Sequence, residues 1–119
     1  MVDDEADIRI VASVALGKVG GHDVLLAASG EEALALARAE RPDAIVLDVM
    51  MPGMDGPSTL EALLADPSTA GIPVVFLTAK GQAAERLRLG ELGARGVIAK
   101  PFDPMTLSDE VAGAMGWVQ

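Results

Sequence analysis

Five polar residues stand where short apolar runs end. Asp3 and Asp4 follow Met1-Val2, Asp48 follows Ala44–Leu47, Thr78 follows Val74–Leu77, and Lys100 follows Gly96–Ala99. If these runs are parallel strands of an open α/β sheet, their carboxyl ends share one rim, where ligand crevices form. Three carboxylates, a hydroxyl and an ammonium would then converge from across the chain. Clustered carboxylates repel one another, and their pKa values rise unless a cation neutralises them. A site of oxygen donors alone selects a hard ion, and one that keeps several waters and awaits a phosphate favours Mg²⁺. A carboxylate held there can attack phosphorus to form an aspartyl-phosphate. The metal, Lys100 and the Thr78 hydroxyl would then share the charge on the phosphoryl oxygens.

Each residue also has a plainer reading. Asp3 and Asp4 could cap the first helix, about an even chance for Asp before a helix. Asp48 could form the turn before Met51-Pro52, Thr78 could be an ordinary β-branched strand residue, and Lys100 a solvated loop lysine. Taken together, these readings leave the shared placement at carboxyl strand ends unexplained. Elsewhere the plain reading is preferred. His22 reads as a surface turn residue after Gly20-Gly21. The side chains of Met50, Met51 and Met54 read as packing, and Glu31, Glu32 and Glu40 as a solvated helix face. Trp117 either packs the last helix or ends the chain loosely.

The elements that must hold these residues follow from patterning. Strand candidates are Val24–Ala27, Ala44–Leu47, Val74–Leu77 and Gly96–Ala99, almost wholly apolar, as strands covered by helices on both faces are. Ile8, Val11, Ala12, Ala15, Leu16 and Val19 keep helical spacing. Ser29 and Glu32 form a capping box for a helix over Glu31–Glu40. Pro57 suits the first turn of a helix running to about Ala65. A further helix is expected over about Gln82–Leu92. Asp103-Pro104 opens a last one with an apolar face of Leu107, Val111, Ala114, Met115 and Val118. Turn chemistry marks Gly20-Gly21, Arg41-Pro42-Asp43, Pro52-Gly53 and Asp66-Pro67-Ser68. Only Met1 and Val2 precede Asp3, where a central strand needs about five residues. The first strand is therefore expected to be truncated, frayed or completed from outside.

Bulk properties exclude other chemistries. The chain has 119 residues, 50% hydrophobic and 23% charged, which bounds it as one ordinary domain spanning 1–119. Its net charge of −9, from 18 acids and 9 bases, repels phosphates and anionic membranes, so direct nucleic-acid binding is not expected. There is no cysteine and only one histidine, which removes disulfides, thiolate metal sites and His-rich sites. The acidic opening does not fit a signal peptide, and no apolar run approaches the roughly 18 residues of a membrane span. A cytoplasmic protein is expected.

Four blocks carry a resemblance over the whole chain: Val2-Asp3-Asp4-Glu5, the run from Asp48 to Gly56, Thr78-Ala79 and Lys100-Pro101-Phe102. In this order and spacing they resemble bacterial response-regulator receiver domains of two-component signalling. The resemblance implies a flavodoxin-like, doubly wound, five-stranded parallel sheet of order 2-1-3-4-5. It implies Mg²⁺-dependent phosphotransfer from a sensor histidine kinase or histidine phosphotransfer protein, with a downstream protein as target. By position, Asp48 is the phosphoacceptor. Asp4 and Asp48 supply metal carboxylates, Asp3 assists through water, and the Met50 backbone carbonyl completes the protein ligands. Thr78 is the switch hydroxyl and Lys100 binds the phosphate. Lys100-Pro101 matches the family's cis peptide bond.

Departures refine these expectations. Val97 stands where the family often carries an aromatic switch, so coupling must rest on Thr78 and the neighbouring loop and helix. Met50 and Lys80 border the path of attacking water, and neither supplies a carboxylate or an amide, so slow-to-moderate self-dephosphorylation is expected. The stretch from Gly96 to Leu107 is more like stand-alone receivers than those that dimerise on DNA-binding regulators, and a homodimer is left open. Two rivals remain. A degenerate receiver would serve only for docking. An aspartyl-phosphate phosphatase of the haloacid dehalogenase type would need a second Asp where Met50 stands.

Overall fold

A computed structural model of the protein describes residues 1–79 and 82–117. Apolar, β-branched runs form three parallel strands: β1 (Ile45–Asp48), β2 (Val74–Thr78) and β3 (Gly96–Ala99), hydrogen-bonded in the order β1-β2-β3. Ile45 lies opposite Val74, and Val75 opposite Gly96. Beyond β1 the sheet continues through backbone bridges. Val2 is bridged in parallel to Leu47 on one side and to Ala27 on the other. The Val2 amide donates to the Val46 carbonyl at 2.8 Å, and the Asp48 amide donates to the Val2 carbonyl at 3.0 Å. On the far side the Ala27 amide donates to the Met1 carbonyl at 3.0 Å, and the Asp3 amide to the Ala27 carbonyl at 3.1 Å.

Across the sheet the order is therefore residues 24–27, residues 1–3, β1, β2, β3. This is the expected doubly wound order 2-1-3-4-5, with only three of its members regular strands. The strand expected over Val24–Ala27 is reduced to one bridge at Ala27, because the short stub of residues 1–3 offers it so few partners.

Helices cover both faces. α1 (Ala6–Val14) continues into a π-helical turn (Ala15–Val19), followed along the chain by α2 (Gly30–Glu40), α3 (Gly56–Ala65), α4 (Ala83–Glu91) and α5 (Leu107–Met115). Alternation along the strands sorts the core into two layers. Ile45, Leu47, Val74 and Phe76 pack with Ala33, Ala37, Leu60, Leu63 and Leu89 of α2, α3 and α4. Val46, Val75, Leu77 and Ile98 pack with Ala12, Leu16, Leu107, Val111 and Met115 on the α1 and α5 side.

Local signals act as read in several places. The Ser29 hydroxyl accepts the Glu32 amide at 3.1 Å and caps α2. Asp55 caps α3 by accepting the Ser58 amide at 2.8 Å, with Pro57 in the first turn. Gly21 and Gly53 turn with φ of +73° and +72°.

Other expectations need correction. Val11 and Val19 belong to the helically spaced apolar set, yet they are 41% and 45% exposed. The buried line is Ala12, Ala15 and Leu16, and the π turn (Gly20 amide to Ala15 carbonyl, 3.1 Å) adds a residue that rotates Val19 outwards. Asp103-Pro104 does not open the last helix directly. Asp103 accepts the Met105 amide on its side chain at 2.8 Å and forms a separate turn before α5 begins. His22 is not a free surface residue: its Nε2 shares a 3.1 Å hydrogen bond with the hydroxyl of Ser108 on α5. The Trp117 ring lies 5.9 Å from the His22 ring, so Trp117 packs beside the last helix. Lys80 and Val118 lie outside the described residues.

Candidate functional site

Each polar residue singled out in the sequence is delivered by an element end. Asp48 is the last residue of β1, fixed by the hydrogen bond its amide donates to the Val2 carbonyl, and its side chain is buried. The chain after it turns back tightly, because the Gly56 amide at the start of α3 donates to the Val49 carbonyl at 2.9 Å. Gly56 is required by this close approach: a Cβ there would strike the Asp48 carbonyl and come within 2.8 Å of the Val49 Cα. Thr78 ends β2, buried, and its carbonyl accepts the Lys100 amide at 2.8 Å just beyond β3. Lys100 and Thr78 are thus neighbours through the backbone ladder, and the Lys100-Pro101 peptide is cis.

Asp3 is fully buried and divides its two oxygens. Oδ1 accepts the Glu5 amide at 2.9 Å and steadies the entry to α1, so the capping reading holds for one oxygen. Oδ2 receives no well-directed hydrogen bond. The Lys100 ammonium lies 3.0 Å from it and 2.9 Å from Asp48 Oδ1. Asp4, exposed, completes a cluster in which one carboxylate oxygen from each of Asp3, Asp4 and Asp48 lies within 4.8 Å of the other two. The rim therefore brings Asp3, Asp4, Asp48 and Lys100 together, with Thr78 at the adjoining strand end.

Met50 follows Asp48 by two residues, and its side chain is 69% exposed, which corrects its reading as packing. Met51 is buried and Met54 packs against the α2 and α3 layer, as expected. Arg9 was missed in the sequence. Its guanidinium donates to the Asp3 carbonyl at 2.7 Å and ties α1 to the stub. Its place six residues after Asp3, in the first turns of the helix that Asp3 introduces, was the available signal.

The electrostatics follow from this crowding. Burial pushes the Asp48 carboxyl above its ordinary pKa; the Lys100 hydrogen bond opposes the rise, and the Asp3 charge adds to it. Burial alone would lower Lys100, but hydrogen bonds and charge from Asp48 and Asp3 outweigh it and hold the ammonium's pKa raised. Three carboxylates against one ammonium leave negative charge in excess, and one oxygen of each carboxylate lies within 4.8 Å of the others. Both features fit an additional small cation with oxygen ligands. Among the described residues, no helix is long and apolar enough to cross a membrane.

Comparison with known proteins agrees with this arrangement. A family model described as "Response regulator receiver domain" matches residues 1–112. The chain is 40% identical over 111 residues to a probable transcriptional regulator, ycf27, of Cyanophora paradoxa; the match takes in 93% of this chain and 45% of that protein. It thus spans about half the length of such regulators. It is 35% identical over 107 residues to protein PilH of Pseudomonas aeruginosa, covering 90% of this chain and 88% of PilH. Among solved structures, chemotaxis protein CheY4 of Vibrio cholerae superposes with a TM-score of 0.87 at 34% identity, over 95% of this chain and 93% of that one. An acidic rim assembled from the ends of the sheet, on a doubly wound fold matched over nearly its whole length, makes this chain a member of the response regulator receiver domain family.

Proposed function

We propose that residues 1–119 act as a single phosphoacceptor domain of a two-component phosphorelay, with Asp48 as the acceptor. One observation carries this reading: the Lys100 ammonium bridges Asp48 Oδ1 at 2.9 Å and Asp3 Oδ2 at 3.0 Å, in a carboxylate cluster that retains excess negative charge. The ion implied is Mg²⁺, held by Asp4, Asp48 and the Met50 carbonyl, with Asp3 acting through water. When bound, it neutralises carboxylate charge and draws electron density from the phosphoryl oxygens.

The chain's own residues do the rest. An Asp48 carboxylate oxygen forms a bond to phosphorus as the bond from phosphorus to the donor breaks, whether the donor is a histidine nitrogen or the acetate of acetyl phosphate. The donor leaves with the electron pair, and Asp48 becomes an acyl phosphate. Lys100 then exchanges its Asp48 contact for a phosphoryl oxygen, and the Thr78 hydroxyl supplies a second donor. The modification adds about −1.5 to −2 charge.

Inverting a 1:99 equilibrium takes about 5.5 kcal/mol, and new contacts of Lys100 and Thr78 to the phosphate are the source assigned here. The shift travels through the segment after Thr78 to the surface formed by α4, β3 and α5, where a downstream protein binds. Val97 holds no ring to swing inwards, so this path carries the coupling. The phosphodonor is a sensor histidine kinase or a histidine phosphotransfer protein, and the setting is the cytoplasm.

Incubation with acetyl phosphate and Mg²⁺, followed by intact mass measurement, tests the proposal. One phosphoryl group should appear on the wild type and none on Asp48→Ala; an unmodified wild type would instead favour a phosphorylation-independent docking module. External phosphate esters should not turn over, since Met50 cannot serve as the general acid of a phosphatase. Met50 and Lys80 give attacking water no carboxylate or amide to orient it, so the phosphoryl group should outlast seconds.

A further inference from the structure

Asp4 is the exposed member of the acidic cluster, and among the described residues its side chain has no hydrogen-bond partner. Yet one of its carboxylate oxygens stands within 4.8 Å of oxygens of Asp3 and Asp48. An exposed, unbonded carboxylate beside two others is repelled by them and can turn into water. Its aim must come from the backbone.

Both peptide planes that flank Asp4 are pinned. On one side the Glu5 amide donates to Asp3 Oδ1 at 2.9 Å, the turn in which an Asp side chain bonds the backbone two residues on. On the other, the Arg9 guanidinium donates to the Asp3 carbonyl at 2.7 Å. A peptide unit is planar, so holding both planes fixes φ and ψ of the residue between them, and with them the direction of the Asp4 Cα–Cβ bond. The other polar groups of Asp3 are engaged elsewhere: its amide bonds to Ala27 at 3.1 Å, and Oδ2 lies 3.0 Å from Lys100. Among the described residues, Arg9 alone bonds the Asp3 carbonyl.

The choice of partner is informative. Arg9 is half-buried near three carboxylates, but among the described residues it forms no ion pair and gives its short hydrogen bond to a neutral carbonyl. A guanidinium placed to neutralise the rim would sit on a carboxylate, whose fork matches its own. The helix sets the reach. α1 begins at Ala6, and the Arg9 amide bonds back to the Glu5 carbonyl at 3.1 Å. A side chain one turn into a helix leans towards the N-terminus, which carries the guanidinium onto Asp3.

We infer that Arg9 is a positioning residue for the divalent cation: it locks the Asp3-Asp4 peptide so that the Asp4 carboxylate stands beside Asp48. This role rests on the Mg²⁺ site proposed above. The expected sign is opposite to that of simple electrostatics. A positive charge beside the cluster repels a second cation, so its removal would tighten Mg²⁺ binding if charge alone counted. Loss of a group that orients a metal ligand weakens binding instead, by about 10–100-fold.

The test is a Mg²⁺ titration of the full chain, followed in ¹H–¹⁵N correlation spectra, on wild type and three variants. Arg9→Met keeps the aliphatic stem without charge or donor, and Arg9→Lys keeps the charge and one donor. In folded Arg9→Met the Kd should rise by about tenfold or more, and Arg9→Lys should recover part of that loss. Arg9→Gln, neutral and shorter, should also bind more weakly than wild type, and it decides the matter if Arg9→Met does not fold. Binding by Arg9→Met or Arg9→Gln as tight as that of wild type, or tighter, would overturn the assignment. A wild type without saturable Mg²⁺ binding at the rim would remove the metal site itself and this role with it, an outcome separate from any variant's.

Discussion

The surroundings of Asp48 work against its charged form. Burial and the Asp3 charge raise its pKa, while Lys100 and a hydrogen bond from the Met50 backbone oppose them. A neutral side chain of the same shape would keep the Lys100 contact and remove the repulsion. Asp48→Asn should therefore stabilise the metal-free domain by about 1 kcal/mol, read as a higher urea midpoint at unchanged slope. A lower midpoint would mean that the ion pair outweighs the crowding. Asp66 shows the opposite shift at the surface. The Arg38 guanidinium at 2.8 Å, aided by the Ser68 amide and hydroxyl, lowers its pKa from 3.8 to about 2. A depressed folded pKa favours the fold above pH 3.8, and the benefit is lost as pH falls towards 2. The difference in stability between wild type and Asp66→Asn should thus be constant at neutral pH and shrink through that acid window, measured by denaturant titration at a series of pH values.

At the scale of elements, the start of α3 sets where Asp48 stands. Gly56 packs directly over the Asp48 carbonyl, and Asp55 caps the same helix. Gly56→Ala would drive a Cβ into rigid backbone and should cost more than about 2 kcal/mol, with the loss of phosphorylation exceeding what the fraction unfolded explains. Asp55→Ala removes only the cap and should cost about 1 kcal/mol, with the phosphorylation of folded protein largely kept. Thermal unfolding and acetyl phosphate labelling on the same samples separate the two. A parallel outcome for both variants would refute the positioning role given to Gly56.

For the whole molecule, ion binding at the acidic rim, as proposed above, would be linked to folding. Mg²⁺ that binds only the folded form should stabilise the wild type by about 2.7 kcal/mol at a hundredfold excess over its Kd. The increment should fall sharply in Asp4→Asn, whose exposed carboxylate contributes to the cluster without supporting the core. An equal increment in both proteins, measured by melting with and without Mg²⁺, would place the ion elsewhere. At this scale the molecule also shows an asymmetry between its two rims. The carboxyl rim is crowded with carboxylates, and the opposite rim holds a cavity of about 540 Å³ lined by apolar and charged residues such as Leu16, Val111, Asp23 and Arg41.

Much of this was readable in residue order, because the signals involved are local or periodic. Apolar runs such as Val74–Leu77, the cap at Ser29, the first-turn Pro57 and glycine turns at Gly21 and Gly53 act within a few residues. Polar residues after four of the runs already suggested the rim with Asp3, Asp4, Asp48, Thr78 and Lys100. What the tertiary structure alone decided depends on distances between remote segments. Asp3 divides its oxygens between a helix entry and Lys100, Arg9 clasps the stub, His22 reaches Ser108 and Trp117, and the π turn rotates Val19 out of the core. The strand expected at Val24–Ala27 had the right composition, but a strand exists only through its neighbours, and the stub beside it is too short to pair with more than its end.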